Sequence, residues 1–151
     1  MKTYESPMMH TAEHILNQTM VLMFDCGRSF SSHIERKKSK CDYHFGRNLT
    51  EEEKKEIEKR VNEIIKKDLP VSEDFLRFEK AASLYNLERL PDGKKETVRI
   101  VRIGDYDACP CIGEHVPSTG IIGTFKITTS SYSDGVLRVR FKVLPGSNEK
   151  N

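Results

Sequence analysis

Two short patterns at opposite ends of this chain constrain its folding more than any other feature: His10-Thr-Ala-Glu-His14 near the start and Cys111-Ile-Gly-Glu-His115 late in the sequence. Each sets two metal-ligating side chains four positions apart. Together they supply three imidazoles and a thiolate, the donor set of a tetrahedral zinc site. A fold that uses both pairs must bring its first helix against a loop from its far half. The chain holds only five His and four Cys, so the gathering of four of them into two patterns is the clearest pointer to function.

Local signals place the patterns on elements. Ser6-Pro7 is a helix start, with Ser as N-cap and Pro at the first helical position. The helix runs from Met8 to Phe24 with Met9, Ala12, Leu16, Met20 and Met23 near one stripe, and Asp25-Cys26-Gly27 stops it. His10 and His14 therefore lie one turn apart on one face, spaced to share an ion. Arg28 to Glu35 and Ser39 to Phe45 read as strands around the basic turn Arg36-Lys37-Lys38. Thr50-Glu51-Glu52-Glu53 is a capping box. It opens an amphipathic helix bearing Ile57, Val61, Ile64 and Ile65, stopped at Leu69-Pro70. A shorter helix is expected from Ser72 to about Tyr85, and Leu90-Pro91-Asp92-Gly93 reads as a turn. Thr97 to Ile103 alternates as a strand, and Gly104 to Gly120 reads as a loop carrying the second pattern. Strands from Ile121 to Tyr132 and Val136 to Leu144 flank the hairpin signal Asp134-Gly135. Helix, hairpin, two helices and then strands, without βαβ alternation, predict an α+β fold with mainly antiparallel sheet packed with helices.

The length of 151 residues suits one domain, expected over residues 1–145 with a disordered tail over 146–151. No apolar run approaches the roughly 18 residues of a membrane span. The start of the chain lacks a basic-then-apolar export signal, so a cytoplasmic location is expected. In that setting spaced Cys and His read as metal chemistry rather than disulfides. The net charge of +2 creates no global field. Local basic clusters (Arg36, Lys37, Lys38 and Lys40, the helix lysines after Lys54, and Lys94-Lys95) suit contact with a short stretch of phosphate backbone, or a solvated charged surface.

Cys109 lies two residues before Cys111 and is expected to point away, leaving Cys111 as ligand. Cys26 and Cys41 read as packed thiols, and His33 and His44 as structural or surface residues. The first pattern also reads His-x-x-Glu-His, the inverted zinc-peptidase motif with Glu13 as general base. That alternative needs a distant carboxylate ligand, for which Glu88 or Glu96 could serve, and it leaves Cys111 and His115 unexplained.

Taken with their surroundings, these motifs resemble the free-standing AlaX proteins, which are related to the editing domain of alanyl-tRNA synthetase and the second additional domain of threonyl-tRNA synthetase. The residues that carry the resemblance are His10-Thr-Ala-Glu-His14-Ile-Leu, Ser31-Ser32-His33-Ile34, Cys111-Ile-Gly-Glu-His115-Val and Ser118-Thr119-Gly120-Ile-Ile-Gly123-Thr-Phe-Lys126-Ile, with the Asp-Gly hairpin ahead of Leu137-Arg-Val-Arg-Phe141. It covers roughly Thr3 to Leu144. The synthetase-type motif reads Cys-Gly-Gly-Thr-His, whereas Ile112 and Glu114 stand here. The Glu before the final His resembles the short AlaX class, and the chain begins almost at the zinc helix, without the glycine-rich β domain of longer forms. Position 121 is Ile where the family often has Glu.

The resemblance implies the second-additional-domain (editing domain) fold and a zinc-dependent trans-editing deacylase. Its substrate would be mischarged tRNA(Ala), Ser-tRNA(Ala) first and Gly-tRNA(Ala) second. It assigns His10, His14 and Cys111 as zinc ligands and His115 as fourth ligand or water-positioning group, with His10, His14 and His115 forming the catalytic set. Ser29, Ser31 and Ser32 would sense a substrate hydroxyl. Arg36, Lys37, Lys38, Lys40 and Lys126 would meet the tRNA acceptor end. A zinc-stabilised tRNA-binding module without activity is the non-enzymatic alternative.

Overall fold

The computed structural model describes residues 6–87 and 96–144. The first element is helix α1 (Pro7–Phe24). Ser6 caps it by accepting a 3.3 Å hydrogen bond from the Met9 amide, and Pro7 occupies its first turn. Asp25 ends it in the left-handed region at φ 55°, a conformation Asp tolerates better than most residues. Burial extends well beyond the expected apolar stripe, to Thr11, Glu13, His14, Ile15, Asn17 and Thr19. A helix buried on this much of its circumference needs neighbours on several sides, and the elements that follow provide them.

Strands β1 (Ser31–Ile34) and β2 (Ser39–His44) form the expected hairpin, with a shorter first strand. Helix α2 (Glu51–Lys66) opens with the full capping box: Glu53 N–H donates to Thr50 Oγ1 at 3.0 Å, and Thr50 N–H to Glu53 Oε1 at 2.9 Å. Ile57, Val61, Ile64 and Ile65 are its buried face.

The expected helix over 72–85 is a correction. Val71–Arg77 forms strand β3, and only Phe78–Leu84 is helical, as α3. The competing force is pairing with β4 (Thr97–Ile103), which β3 meets antiparallel from Val71↔Ile103 to Arg77↔Thr97. Glu73 and Asp74 serve this sheet, pairing with Arg99 and Arg102 across the strands. Cross-strand partners of this kind override a weak local helix preference. The segment from Gly104 to Gly120 is also not all loop: Asp107–Pro110 forms β5 against β4, and Thr119–Ile121 is a short 3-10 turn. Strands β6 (Thr124–Ser133) and β7 (Val136–Leu144) make the predicted hairpin. Asp134 at φ 48° and Gly135 at φ 82° both take the positive values that a tight primed turn demands.

The strands form two antiparallel sheets, one four-stranded in the order β1-β2-β7-β6 and one three-stranded in the order β3-β4-β5. The fold is α+β, with three helices and antiparallel sheets, as expected. Tyr43, Phe125, Phe141, Met9, Ile15, Leu16, Met20 and Ile57 are fully buried in the main core. Ala81, Val98 and Ile100 form a smaller core under α3. Helix α1 packs on α2, on β1 and β7 of the large sheet, and on β5 of the small one. This last contact closes the chain end to end, because β5 runs straight into Cys111. No helix among the described residues is long and apolar enough to cross a membrane. The expected turn Leu90–Gly93, Lys94-Lys95, Glu88 and the tail over 146–151 lie outside the described residues.

Candidate metal centre

His10 and His14 sit one turn apart on α1, their ring centroids 5.2 Å apart. The loop after β5 brings His115 over both: its ring stacks on His10 at 4.5 Å and meets His14 edge-on at 4.5 Å. Cys111 Sγ lies 3.4 Å from His10 Nε2. One donor atom from each of His10, His14, Cys111 and His115 falls within 4.8 Å of all the others, so the four can hold a metal ion.

The 3.4 Å separation of Cys111 Sγ and His10 Nε2 is compatible with both atoms meeting one ion. Zn–S and Zn–N bonds of about 2.3 and 2.0 Å at a tetrahedral angle require an S···N edge of about 3.5 Å. His115 supplies a second indication. Thr11 Oγ1 donates its single proton to the Pro7 carbonyl at 2.9 Å and accepts from the Val116 amide at 3.2 Å. Its 2.9 Å contact with His115 Nδ1 is then a bond in which Nδ1–H donates. That tautomer leaves Nε2 with a bare lone pair, and Nε2 is buried with no hydrogen-bond partner. A buried orphan acceptor is costly unless something binds it, and a cation among three other donors fits that need.

The electrostatics favour the metal-binding states of Cys111 and His115 and the protonated state of His14, which would release its proton on binding an ion. Burial would raise the Cys111 thiol, but the surrounding His10, His115 and His14 imidazoles overcome it and bring its pKa down to about 3. Burial, with the neighbouring His14 and His10 charges, presses His115 down to about 4, so its ring is neutral at neutral pH. His14 is raised well above its ordinary value despite burial, through hydrogen bonds to Asp107, Cys109 and Cys111. A ready thiolate and a neutral imidazole are the states in which these groups bind metal.

The loop that carries Cys111 is held by parts the sequence patterns did not reveal. Arg99 Nη1 donates to the carbonyls of Cys111 at 3.0 Å and Gly113 at 2.8 Å. Gly113 lies so close to His10 that a Cβ there would stand 2.0 Å from His10 Cε1. Thr11 was visible inside the first pattern without any sign of its role, whereas Arg99 carried no signal beyond strand alternation. Ile112 is 69% exposed and Glu114 is exposed, so the two departures from the synthetase-type motif face solvent.

The expected orientation of Cys109 is a second correction. Residues two apart on an extended chain share a face, and both thiols turn toward α1. Cys109 Sγ lies 3.3 Å from His14 Nδ1. None of the four cysteines is in a disulfide. Cys41 is buried in the main core, and Cys26 packs at its edge. His33 pairs with Glu35 at the surface, and His44 stacks on Phe30 at 4.0 Å.

Glu13 is buried beside the cluster, with Oε1 3.6 Å from His10 Nε2. Its other oxygen accepts from Asn17 Nδ2 at 3.4 Å, and Asn17 Oδ1 in turn accepts from Tyr43 Oη at 2.8 Å and the Ser29 amide at 3.1 Å. A polar chain thus runs from the first pattern to Ser29. The register puts Ser32 on the face of Cys41 and Ser31 on the opposite face, with Asp42. Arg36, Lys37 and Lys38 are exposed between β1 and β2. On the outer sheet face Lys40 pairs in register with Arg140, and Lys126 with Lys142. Among the described residues, Glu96 joins no metal-capable group with His10 and His14, and Glu88 lies outside them.

Comparison with known proteins finds alanine–tRNA ligases among the relatives of this chain. Alanine–tRNA ligase of Treponema denticola is 35% identical over 133 residues, covering 87% of this chain and 22% of that protein. Alanine–tRNA ligase of Methanopyrus kandleri is 35% identical over 136 residues, covering 87% and 15%. That of Treponema pallidum is 32% identical over 149 residues, covering 97% and 24%. The chain thus spans less than a quarter of the length of these relatives. Residues 98–140, from β4 through Cys111 and His115 into β7, match the model of the family described as the threonyl and alanyl tRNA synthetase second additional domain.

Proposed function

We propose that this chain is a zinc-dependent aminoacyl-tRNA deacylase that hydrolyses the ester of mischarged tRNA(Ala), with Ser-tRNA(Ala) as first substrate and Gly-tRNA(Ala) as second. The observation that carries this reading is the convergence of three imidazoles and one thiolate from opposite ends of the chain, with His115 Nε2 buried and unpartnered among them. The similarity to alanine–tRNA ligases supports the choice of substrate class.

The chemistry asks little of the protein. An aminoacyl ester is already activated, so water can attack its carbonyl carbon without a covalent protein nucleophile, releasing the amino acid and the tRNA hydroxyl. Zinc held by His10, His14 and Cys111 would supply Lewis-acid polarisation or a more acidic water. His115 completes the ligand set or, as a neutral acceptor, orients water through Nε2. Three protein ligands leave a position for substrate, whereas four close the site. The need for such a site follows from recognition: a pocket for Ala rejects Gly or Ser by only about 1–3 kcal/mol, so a second, hydrolytic sieve restores accuracy.

Ser29, Ser31 and Ser32 are assigned to sensing the substrate hydroxyl. Of these, Ser29 is buried and its backbone amide is tied to Asn17 Oδ1, whereas Ser31 lies exposed on β1. Arg36, Lys37, Lys38, Lys40 and Lys126 are assigned to the acceptor-end phosphates. Deacylation of Ser-, Gly- and Ala-tRNA(Ala) by zinc-loaded wild type and Cys111→Ala tests the reading. Rapid loss of Ser-tRNA(Ala), sparing of Ala-tRNA(Ala) and an inert variant are expected. Failure to hydrolyse any mischarged tRNA would overturn the activity and leave a binding module. Release of amino acids from peptides instead would point to the Glu13 peptidase chemistry.

A further inference from the structure

Behind His14 lies a second group of metal-capable side chains, His14, Asp107 and Cys109, all buried. Cys109 Sγ is 3.3 Å and Asp107 Oδ2 is 3.7 Å from His14 Nδ1. The same two residues meet Arg28. Its Nη1 donates to Asp107 Oδ1 at 2.7 Å, and its Nη2 donates to Asp107 Oδ2 at 3.3 Å and to Cys109 Sγ at 3.3 Å. The Asp107 side chain is 2% exposed and that of His14 is 4% exposed.

A divalent ion in this second group would face the Arg28 guanidinium across the very atoms it needs. The cation position is taken by a cation that is part of the chain. Bidentate pairing of this kind is strong and geometrically specific, and Asp107 is correspondingly held below its usual carboxylate range despite burial, by His14 and Arg28. The arrangement has another use. The Asp107 carboxylate and the Cys109 sulfur both face Nδ1, and a proton held there would leave Nε2 for the four-donor centre. Outer partners that fix a ligand imidazole in this way set its tautomer, ring angle and basicity.

We propose that Arg28, Asp107 and Cys109 form an outer cage that holds His14 in its Nδ1–H tautomer and thereby sets the metal affinity of the His10–His14–Cys111–His115 centre, and that they are positioning residues rather than a second metal site. This rests on the reading of those four residues as metal ligands. It accounts for why a second thiol is buried next to the centre without joining it. It also explains Arg28, which lies ahead of β1 and reaches back to β5.

Zinc titration of the metal-free full-length chain against a chromophoric chelator tests it, together with cobalt substitution and imidazole N–H NMR of the zinc-loaded protein. Wild type is expected to take one zinc. Asp107→Asn is expected to bind one zinc 10- to 100-fold more weakly, with the His14 Nδ1–H resonance lost or shifted. Cys109→Ala should weaken zinc in the same direction while keeping the thiolate-to-cobalt charge-transfer band, and Cys109→Ser should partly restore affinity. If Asp107→Asn fails to fold, the two Cys109 variants carry the test alone. Zinc affinity and resonance unchanged in the variants that fold would overturn the cage while leaving the centre standing. Two zinc ions in wild type, falling to one in Cys109→Ala, would establish a second site and overturn the proposal. A wild type that binds no zinc would overturn both centre and cage.

Discussion

The imidazole of His10 lies against the bare backbone of Gly113, leaving no room for even one methyl group: a Cβ on Gly113 would stand 2.0 Å from His10 Cε1 and 2.4 Å from Nδ1. The second pattern therefore needs its glycine for close approach, and the loop that delivers Cys111 is shaped to the ring it serves. Gly113→Ala must push His10 aside or lift the loop, and either movement separates Cys111 Sγ from His10 Nε2. Zinc affinity is expected to fall at least tenfold and deacylation with it, while circular dichroism and the unfolding midpoint without metal change little. Unchanged zinc affinity by chelator competition would refute this account of the glycine.

Thr11 links the two patterns directly, since one hydroxyl bridges Pro7, Val116 and His115. Thr11→Val keeps the shape and removes that bridge, stranding the Val116 amide and His115 Nδ1. Leaving a buried donor unpaired costs about 1–3 kcal/mol, measurable as a lower urea midpoint. Freed from its tautomer lock, His115 should also bind or position its partner less well, so zinc affinity or turnover falls beyond the stability loss. Thr11→Ser, which keeps the oxygen, should recover both properties. A Val variant as stable as wild type would show that the bridge carries no energy.

Acid should separate the contributions of the two late ligands in metal-free protein. His115 is held down to about 4 by burial. Between its ordinary value of about 6.5 and about 4 the native chain binds fewer protons there than the unfolded chain, so stability falls as pH falls. Cys111, brought to about 3, acts with the same sign, its contribution complete above the ordinary thiol range and draining as pH drops toward about 3. His14 acts oppositely: its raised pKa gives stability that is whole below about 6.5 and lost as pH rises through the folded value. The stability of chelator-treated wild type minus that of His115→Gln should therefore shrink between about pH 6.5 and 4. A constant difference across that window, by thermal melts, would contradict the burial-driven shift.

The clustering of three imidazoles with a thiolate and the α+β order were legible because their signals are local: His spacing on α1, the Thr50 capping box, and the Asp134-Gly135 turn. What was illegible depends on the partner strand. Glu73 and Asp74 find their partners only when β4 sets Arg99 and Arg102 diagonally across from them. Arg28 and Asp107 are separated in sequence and meet only when α1 packs on β5. Cys109 was misplaced by a reading of strand alternation that ignored its period of two.

Thr119 shows how a family-like motif can be structural. Its hydroxyl donates to the Ile64 and Ile65 carbonyls and accepts from the Leu69 amide at 2.9 Å, and it is fully buried. It ties off the end of α2, where carbonyls lack helical partners. Gly120 beside it approaches Asp68 closely, its amide donating to Asp68 Oδ1 at 2.9 Å. Thr119→Val is expected to destabilise the protein by about 1–3 kcal/mol while leaving zinc affinity in the folded fraction unchanged. Loss of zinc without loss of stability would instead assign the residue to the site.

The outer face of the four-stranded sheet carries the charge that tRNA would meet. Lys40 and Arg140 sit in register, as do Lys126 and Lys142. Arg138 beside them is already occupied by Asp42, at 2.8 and 2.9 Å. On this face, the four residues outside that ion pair are available to neutralise phosphate under the proposed function. Each contact released should reduce the steepness of binding against salt by roughly 0.7–0.9 in log–log slope. The double variant Lys40→Ala, Lys126→Ala is thus expected to weaken tRNA binding and flatten the salt dependence by up to about 2, with zinc content unchanged. Because these contacts position the substrate without touching the ester, KM should rise while kcat for Ser-tRNA(Ala) holds. The same salt slope in variant and wild type would move the tRNA off this face, and the exposed turn Arg36 to Lys38 would become the place to cut next.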